Sequence, residues 1–328
     1  MKNIFLFGEC MVELMAASQT KSSSCSSNAS SKILKQSFAG DVYNTAVYLK
    51  RTFSDINVQL VTAVGKDNFS LDMIQAFENE NIGTDHVYQS DNKIPGLYAI
   101  QLDDAGERSF TYWRDNSAAR QVMQHIDEDT IKLLAQGDMF FFSGISLAVI
   151  EPCARANFWA MIEKIKAAGV IIIFDPNYRA RMWDNQAQAK VQFEQAFSYA
   201  DTLLPGVDDF EQLYSMTTSE DVYHFCKQYQ FDELVIKNGE AGIFCYANEQ
   251  AYHFEITPVE NVVDTTSAGD SFNGVYLGAR IEGHNISSAI ALASKAAGFV
   301  IQHYGAIVEP NAYQQFIDEQ HQLIISKH

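Results

Sequence analysis

Short, mainly apolar runs recur along the chain, at 4–7, 60–64, 139–142, 170–174, 202–204 and 234–236, most of them bounded by Gly or Asp. Hydrophobicity that is continuous rather than alternating predicts strands buried on both faces, as in a parallel sheet between helical layers. The stretches between them predict helices over 44–53, 70–80, 154–168, 187–199 and 220–229. Strand, helix, strand repetition of this kind predicts a doubly wound, mainly parallel α/β fold covered by helices. From Ser271 to the C-terminus the pattern is one of successive helices, and 289–300 is rich in Ala and Gly, which permits close helix packing.

Two regions break this pattern. Residues 97–102 and 108–113 flank Asp103-Asp104-Ala105-Gly106-Glu107, which predicts a β-hairpin standing apart from the parallel sheet as a small β lid. The Ser-rich stretch 18–31 has little apolar material and reads as a mobile loop or two weakly marked strands. Its Asn28-Ala29-Ser30 sequon is read as incidental, because no secretory signal accompanies it. No internal repeat or composition shift marks a linker. The expectation is one domain over 1–328, with the lid drawn from about 9–40 and 88–115.

Composition narrows the possible partners. The 328 residues are 47% hydrophobic and 20% charged, enough apolar material for a large core. Lys plus Arg number 23 against 41 Asp plus Glu, a net charge of −18 that repels nucleic acid and anionic membranes. An anionic small substrate must therefore be captured by a few local cations or by backbone N–H groups. The five cysteines are scattered without a Cys-x-x-Cys pair, so neither a disulfide framework nor a zinc site is suggested. Cys153 and Cys226 read as small buried hydrophobes. The eight histidines show no metal-ligand spacing. The apolar run near Met1 is too short for a signal peptide, and no run approaches the roughly 18 residues of a membrane span. A cytoplasmic protein is expected.

Neither a Gly-x-x-x-x-Gly-Lys-Ser/Thr loop nor a Gly-x-Gly-x-x-Gly fingerprint occurs. A different anion device does. Asp264-Thr265-Thr266-Ser267-Ala268-Gly269-Asp270 follows Val262-Val263 and precedes a helix-compatible stretch with apolar positions at 272, 275 and 276. A turn of small residues feeding a helix N-terminus lets the N–H groups of Ser267, Ala268 and Gly269 converge on one point, reinforced by the helix dipole. Such an arrangement suits a phosphoryl group gaining negative charge. Asp270 falls near the first turn, where the dipole is expected to keep its carboxylate ionised at neutral pH, ready to accept a proton from a substrate hydroxyl late in transfer. The plainer alternative is that Asp270 only caps a helix and Gly269 only makes the turn.

The whole string from Asp264 to Gly274 resembles the C-terminal signature of the ribokinase-like (PfkB) sugar kinases, and Phe38-Ala39-Gly40-Asp41-Val42-Tyr43-Asn44-Thr45-Ala46 is similar to that family's Gly-Gly-Asp-x-x-Asn-x-Ala pattern. Further similarity lies at Phe7-Gly8-Glu9, at Val64-Gly65-Lys66-Asp67, and at Lys237-Asn238-Gly239-Glu240-Ala241-Gly242 near the nucleotide region. Ala39 replaces the first Gly of the N-terminal pattern. The family's Asn-x-x-Glu segment, associated with magnesium and phosphate, reads Pro205-Gly206-Val207-Asp208-Asp209. No direct metal ligand is assigned there. Asp208 or Asp209 acting through water, and a merely acidic first helical turn, both stay open.

The resemblance implies a ribokinase-like fold and phosphorylation of a sugar with ATP and Mg²⁺. It places Lys237, Asn238, Gly239, Gly242, Asp264, Ser267, Ala268 and Gly269 at the nucleotide, and Asp270 at the hydroxyl to be phosphorylated. The segments Tyr112-Trp113-Arg114 and Asp175-Pro176-Asn177-Tyr178-Arg179 look like those of kinases acting on 2-keto-3-deoxygluconate, whose carboxylate calls for Arg in forked geometry. On that resemblance Gly40, Asp41, Asn44 and Asn177 contact sugar hydroxyls, Tyr98 and Tyr112 line the pocket, and Arg114 and Arg179 engage the acid end. Each has a plainer alternative: packing for Tyr98, a solvated edge charge for Arg114, a salt bridge to Asp175 or Asp184 for Arg179, a surface position for Lys237. A fructokinase or other neutral-sugar kinase is the nearest rival, and a non-catalytic sugar- or nucleotide-binding protein is the rival from another class. The hairpin's apolar face also suggests a homodimer built through the lids.

Overall fold

The computed structural model describes residues 1–16, 33–102, 108–320 and 324, so the Ser-rich stretch with its sequon and the 103–107 linker lie outside the described residues. Alternate residues of the apolar runs enter different cores. Ile4, Leu6, Phe141, Ile173 and Val235 join one, whereas Phe5, Phe7, Phe140, Phe142, Ile172, Phe174, Leu234 and Ile236 join the other. This is the period of two expected of strands with both faces covered.

The chain opens with β1 (Asn3–Phe7), β2 (Met11–Ala16), β3 (Leu34–Ala39), α1 (Asp41–Thr52), β4 (Asn57–Val64), α2 (Asn68–Asn79) and β5 (Gly83–Gln89). Next come β6 (Gly96–Leu102), β7 (Arg108–Trp113), α3 (Glu128–Leu134), β8 (Met139–Ser143), α4 (Gly144–Val149), α5 (Arg155–Ala167) and β9 (Ile171–Asp175). The rest is α6 (Gln186–Tyr199), β10 (Thr202–Leu203), α7 (Val207–Tyr214), α8 (Ser219–Cys226), β11 (Glu233–Lys237), β12 (Ile243–Ala247), β13 (Gln250–Phe254), α9 (Ala268–Ile281), α10 (Ile286–Val300) and α11 (Pro310–Glu319).

Nine strands form one sheet in the order β13-β12-β11-β10-β9-β8-β1-β4-β5, parallel except at β12 and β13. Helices α1, α9, α10 and α11 bury apolar residues in the first core, and α5 to α8 do so in the second. From β1 the chain winds one way through β4 and β5, then returns to β1's other side and continues outward from β8. The C-terminal strand ends beside that reversal are where α/β sheets offer a crevice. The sequence pattern does not predict the antiparallel β12–β13 edge, β5, α3 or α4. Strand β5, Gly-Thr-Asp-His-Val-Tyr-Gln, mixes polar and apolar residues, and β12 buries only every second residue, so neither presents a continuous apolar run.

Four more strands form a separate small sheet, β3-β2-β6-β7, with Met11, Ala39, Tyr98, Ile100 and Ala306 as its own apolar patch. The expected 97–102/108–113 hairpin is thus half of a larger unit. Ala39 ends β3 in register with Met11, an ordinary strand position that a side chain occupies without difficulty. Gly40 differs: a Cβ there would stand 2.4 Å from the Glu9 carbonyl oxygen. Cys10, Cys226 and Cys245 are buried, but Cys153 is exposed, contrary to expectation, because it lies in the surface turn that leads into α5. No helix among the described residues is long and apolar enough to cross a membrane.

Candidate active site

A cavity of about 770 Å³ lies between the small sheet and the C-terminal ends of the parallel strands. It brings together every residue singled out above for substrate or nucleotide except two. Asp264 does not line it: buried, it accepts hydrogen bonds from the Thr266 N–H (3.0 Å) and the Gly305 N–H (2.7 Å), and so shapes the turn from behind. Gly242 also lies outside, at the start of β12, where a Cβ would strike the Phe254 carbonyl oxygen at 2.5 Å.

Carboxylates crowd one end of the cavity. Asp270, in the first turn of α9, accepts a hydrogen bond on Oδ2 from Asn44 Nδ2 (2.8 Å), and Asn44 Oδ1 faces the Gly40 N–H (3.4 Å). Asp41, first residue of α1, accepts on one oxygen from Ser143 Oγ (2.5 Å), at the end of β8, and from Asn177 Nδ2 (3.0 Å), just beyond β9. Asn177 has φ +33°, and its backbone is held where it can present that amide. Burial first, then the charge of Asp41, push the Asp270 carboxyl up to about 7. This corrects the expectation that the helix dipole keeps it low. The dipole acts only through the first turn's partial charges, whereas the cavity removes bulk water and sets another carboxylate nearby. Asp41 is likewise raised by burial, against the hydrogen bond from Ser143.

The anion turn runs into α9 through Ser267, whose left-handed backbone (φ 66°) reverses the chain at the helix start. Of the three amides expected to converge, that of Ala268 donates to the Thr265 carbonyl (3.3 Å) and closes the turn. Lys237, at the end of β11, is not a surface lysine. Its Nζ donates to Asn273 Oδ1 (3.0 Å) and pairs with Asp175 Oδ2 (3.3 Å), and Asn273 Nδ2 reaches that same oxygen at 2.6 Å. The ammonium sits beside the turn, 4.0 Å from where a Gly269 Cβ would stand. Asn273 escaped the sequence reading, yet it lies three residues after Asp270 on one helix, a spacing that puts both on neighbouring faces.

The two residues of the acidic pair sit differently, Asp209 within the first turn of α7 and Asp208 exposed at the cavity. Asp209 caps α7, accepting from the Gly206 N–H (3.3 Å) and the Tyr178 N–H (2.7 Å), and burial then Asp175 raise it to about 6. Asp208 is exposed and lines the cavity. Among the described residues no three His, Cys, Asp or Glu side chains come together as a metal cage. A donor set of one free carboxylate fits Mg²⁺ held chiefly by phosphate and water, the ion's usual mode in phosphoryl transfer.

The other end is built on the small sheet. Tyr98 stacks on Tyr112 (5.5 Å between centroids) and its hydroxyl donates to buried Glu13, whose other oxygen takes Ser37 Oγ at 2.8 Å. Arg114 ion-pairs with Glu9, the side chains 11% and 0% exposed, which excludes the solvated-edge reading. Arg179 is half-exposed, donates to the Tyr178 carbonyl (2.9 Å) and lies 3.9 Å from Asp209 rather than pairing with Asp175 or Asp184. Sequence reasoning missed Arg181, whose guanidinium lies 3.5 Å over the Tyr112 ring at the cavity wall. Its only sequence clue is its place two residues after Arg179.

The family model described as pfkB family carbohydrate kinase matches residues 1–312. A 2-dehydro-3-deoxygluconokinase of Dickeya dadantii is 36% identical over 94% of this chain and 97% of its own length. One of Haemophilus influenzae is 35% identical over 97% of this chain and 99% of its own. Among solved structures, a putative ribokinase II from E. coli in complex with ATP and Mg²⁺ superposes with a TM-score of 0.81 at 22% identity, covering 98% of this chain and 99% of that one. The backbone of the two proteins follows one fold.

Proposed function

The chain belongs to the pfkB family of carbohydrate kinases, and from that premise we propose that it transfers the γ-phosphoryl group of ATP to the terminal hydroxyl of 2-dehydro-3-deoxygluconate, giving the 6-phosphate. It is a phosphotransferase with an alcohol acceptor. The observation that carries the proposal is Asp270: a carboxylate pushed up to about 7, held on one oxygen by Asn44, at the N-terminus of a helix whose entry turn faces the same cavity. A base poised near neutral pH is matched to removing a hydroxyl proton as the oxygen attacks phosphorus. The hydroxyl loses its proton to Asp270, the new O–P bond forms, and ADP leaves with the electrons of the broken bond.

Lys237 and the free amides of the 267–269 turn stabilise charge gathering on the moving group. Asp41, fixed by Ser143 and Asn177, and Asn44 orient sugar hydroxyls. Asp208 would hold the water shell of Mg²⁺, which when bound neutralises the nucleotide phosphates. The small sheet serves as the lid that shuts water out, since water would otherwise accept the phosphoryl group. Arg114, Arg179 and Arg181 make the acid end.

One observation favours a neutral sugar instead: Glu9 already neutralises Arg114. ADP release measured across acidic and neutral sugars separates the two, with 2-dehydro-3-deoxygluconate expected to exceed fructose in kcat/KM. A preference for fructose removes the acid assignment and leaves the kinase. We extend the proposal to assembly: Trp113, 59% exposed on β7, stands on the face of the small sheet opposite Phe110 and the cavity, where a second copy would cover it.

A further inference from the structure

A second hollow of about 330 Å³ adjoins the sugar end of the reaction cavity and shares Tyr112, Arg114 and Arg181 with it. Its volume is at the small end of the range for ligand sites. Arg120 and Arg155 line the second hollow alone. Four guanidinium groups therefore meet in one small space of a protein whose net charge is −18. Of the four, only Arg114 has an ion-pair partner among the described residues. The carboxylates that line the hollow, Asp115 and Asp184, are exposed and form no ion pair with these arginines.

Arg155 is the most telling of them. It is buried, its Nε donates to the Leu147 carbonyl (3.2 Å), and its guanidinium lies 4.9 Å from the centre of the Trp183 ring. Burial first, and then the like charge of Arg120, lower its pKa against the weaker opposing charge of Asp184. The surroundings thus hold a cation at an unfavourable potential that an anion would relieve. Trp183 is 7% exposed and lines the same hollow, yet its indole N–H has no hydrogen-bond partner, and neither does Arg114 Nε. Buried donors left unpaired cost free energy that a suitable acceptor restores. Unused donors and unpaired cations together call for a ligand that carries negative charge and accepts hydrogen bonds on several oxygens. A phosphate-type oxyanion meets that demand with more acceptor oxygens than a carboxylate has.

We propose that this hollow is a second anion site, which holds inorganic phosphate or a short phosphate monoester on Arg120, Arg155 and the Trp183 indole N–H, outside the phosphoryl-transfer cleft. Tyr112 and Arg181 line both cavities, so occupancy fixes Arg181 against the sugar and alters the sugar's KM while leaving kcat unchanged.

The test is tryptophan emission and calorimetric titration of the full chain with inorganic phosphate and, in a parallel arm, glycerol 3-phosphate. Both are run with a non-hydrolysable ATP analogue and Mg²⁺ saturating the transfer end. Saturable binding is expected, weakened at least tenfold in Arg120→Gln and largely kept in Arg120→Lys, with melting temperatures near wild type. Trp183→Phe retains the fold and loses most of the emission change. Tighter binding of one probe identifies the source, free phosphate or an ester. Absence of saturable binding, or equal affinity in wild type and Arg120→Gln, overturns the proposal. Because the readout is binding, it stands or falls independently of which sugar is phosphorylated.

Discussion

The two ends of the reaction cavity set their acidic residues in different company, although each holds one ion pair, Asp175 with Lys237 at the transfer end and Glu9 with Arg114 at the other. At the transfer end, Asp41, Asp209 and Asp270 are all raised by burial and by neighbouring carboxylates, and they are held by neutral amides and hydroxyls rather than by tight ion pairs. At the sugar-recognition end, Glu9 is matched by Arg114, and Glu13 by the Tyr98 and Ser37 hydroxyls. Reactivity and recognition thus have separate electrostatic requirements. A base must keep some of its affinity for a proton, whereas a wall that positions a ligand gains from a charge that is already matched.

Breaking the transfer end is expected to have the largest effect. Asp270→Ala should lower kcat by about 10³-fold or more while calorimetry still shows nucleotide binding. Near-normal kcat would take Asp270 out of the reaction. Breaking the recognition end should act on binding and on folding together. Arg114→Gln is expected to lower kcat/KM for the acidic sugar about a hundredfold and, because Glu9 is left buried without its cation, to cost about 3–5 kcal/mol of stability. The double variant Glu9→Gln with Arg114→Gln should recover most of that stability in thermal melts but not the preference for acid. If it recovers both, Arg114 serves the fold alone.

The pH dependence sharpens the contrast with a smaller effect. As the carboxyl of Asp270 titrates at about 7, kcat/KM should fall about tenfold per pH unit below that value and level off above it. Stability runs the other way. The folded pKa of about 7 exceeds the ordinary value of 3.8, so the folded chain binds more protons between them and loses stability as pH rises through that window. Asp270→Asn should remove this loss and melt above wild type at about pH 8. A pH-rate profile flat through neutrality, or an Asn variant melting no higher, would show that Asp270 is not held near 7.

Much of the site was legible because its motifs are local. Gly40, Asp41 and Asn44 fall within one helix start, and Ser267 to Asp270 within another, so spacing alone places their backbones. What escaped were partners distant in the chain. Glu9 meets Arg114 across 105 residues, and Asn273 meets Asp175 across 98. Arg181 gives no sign in the sequence that it lies over Tyr112, since that contact depends on how β7 is set against the turn after β9. The four-stranded small sheet was half visible, because β2 and β3 are weakly patterned and join β6 only through tertiary pairing.

The sequence by itself determined the parallel α/β core and the helix starts that carry the 264–269 turn and Asp270, since hydrophobic period and short-range spacing are properties of adjacent residues. Only the tertiary structure decided the proton affinity of Asp270, the pairing of Arg114 and the crowding of arginines beside the sugar pocket. These depend on which charges and how little water surround a group, and that is set by segments far apart in the chain meeting at the C-terminal edge of one sheet.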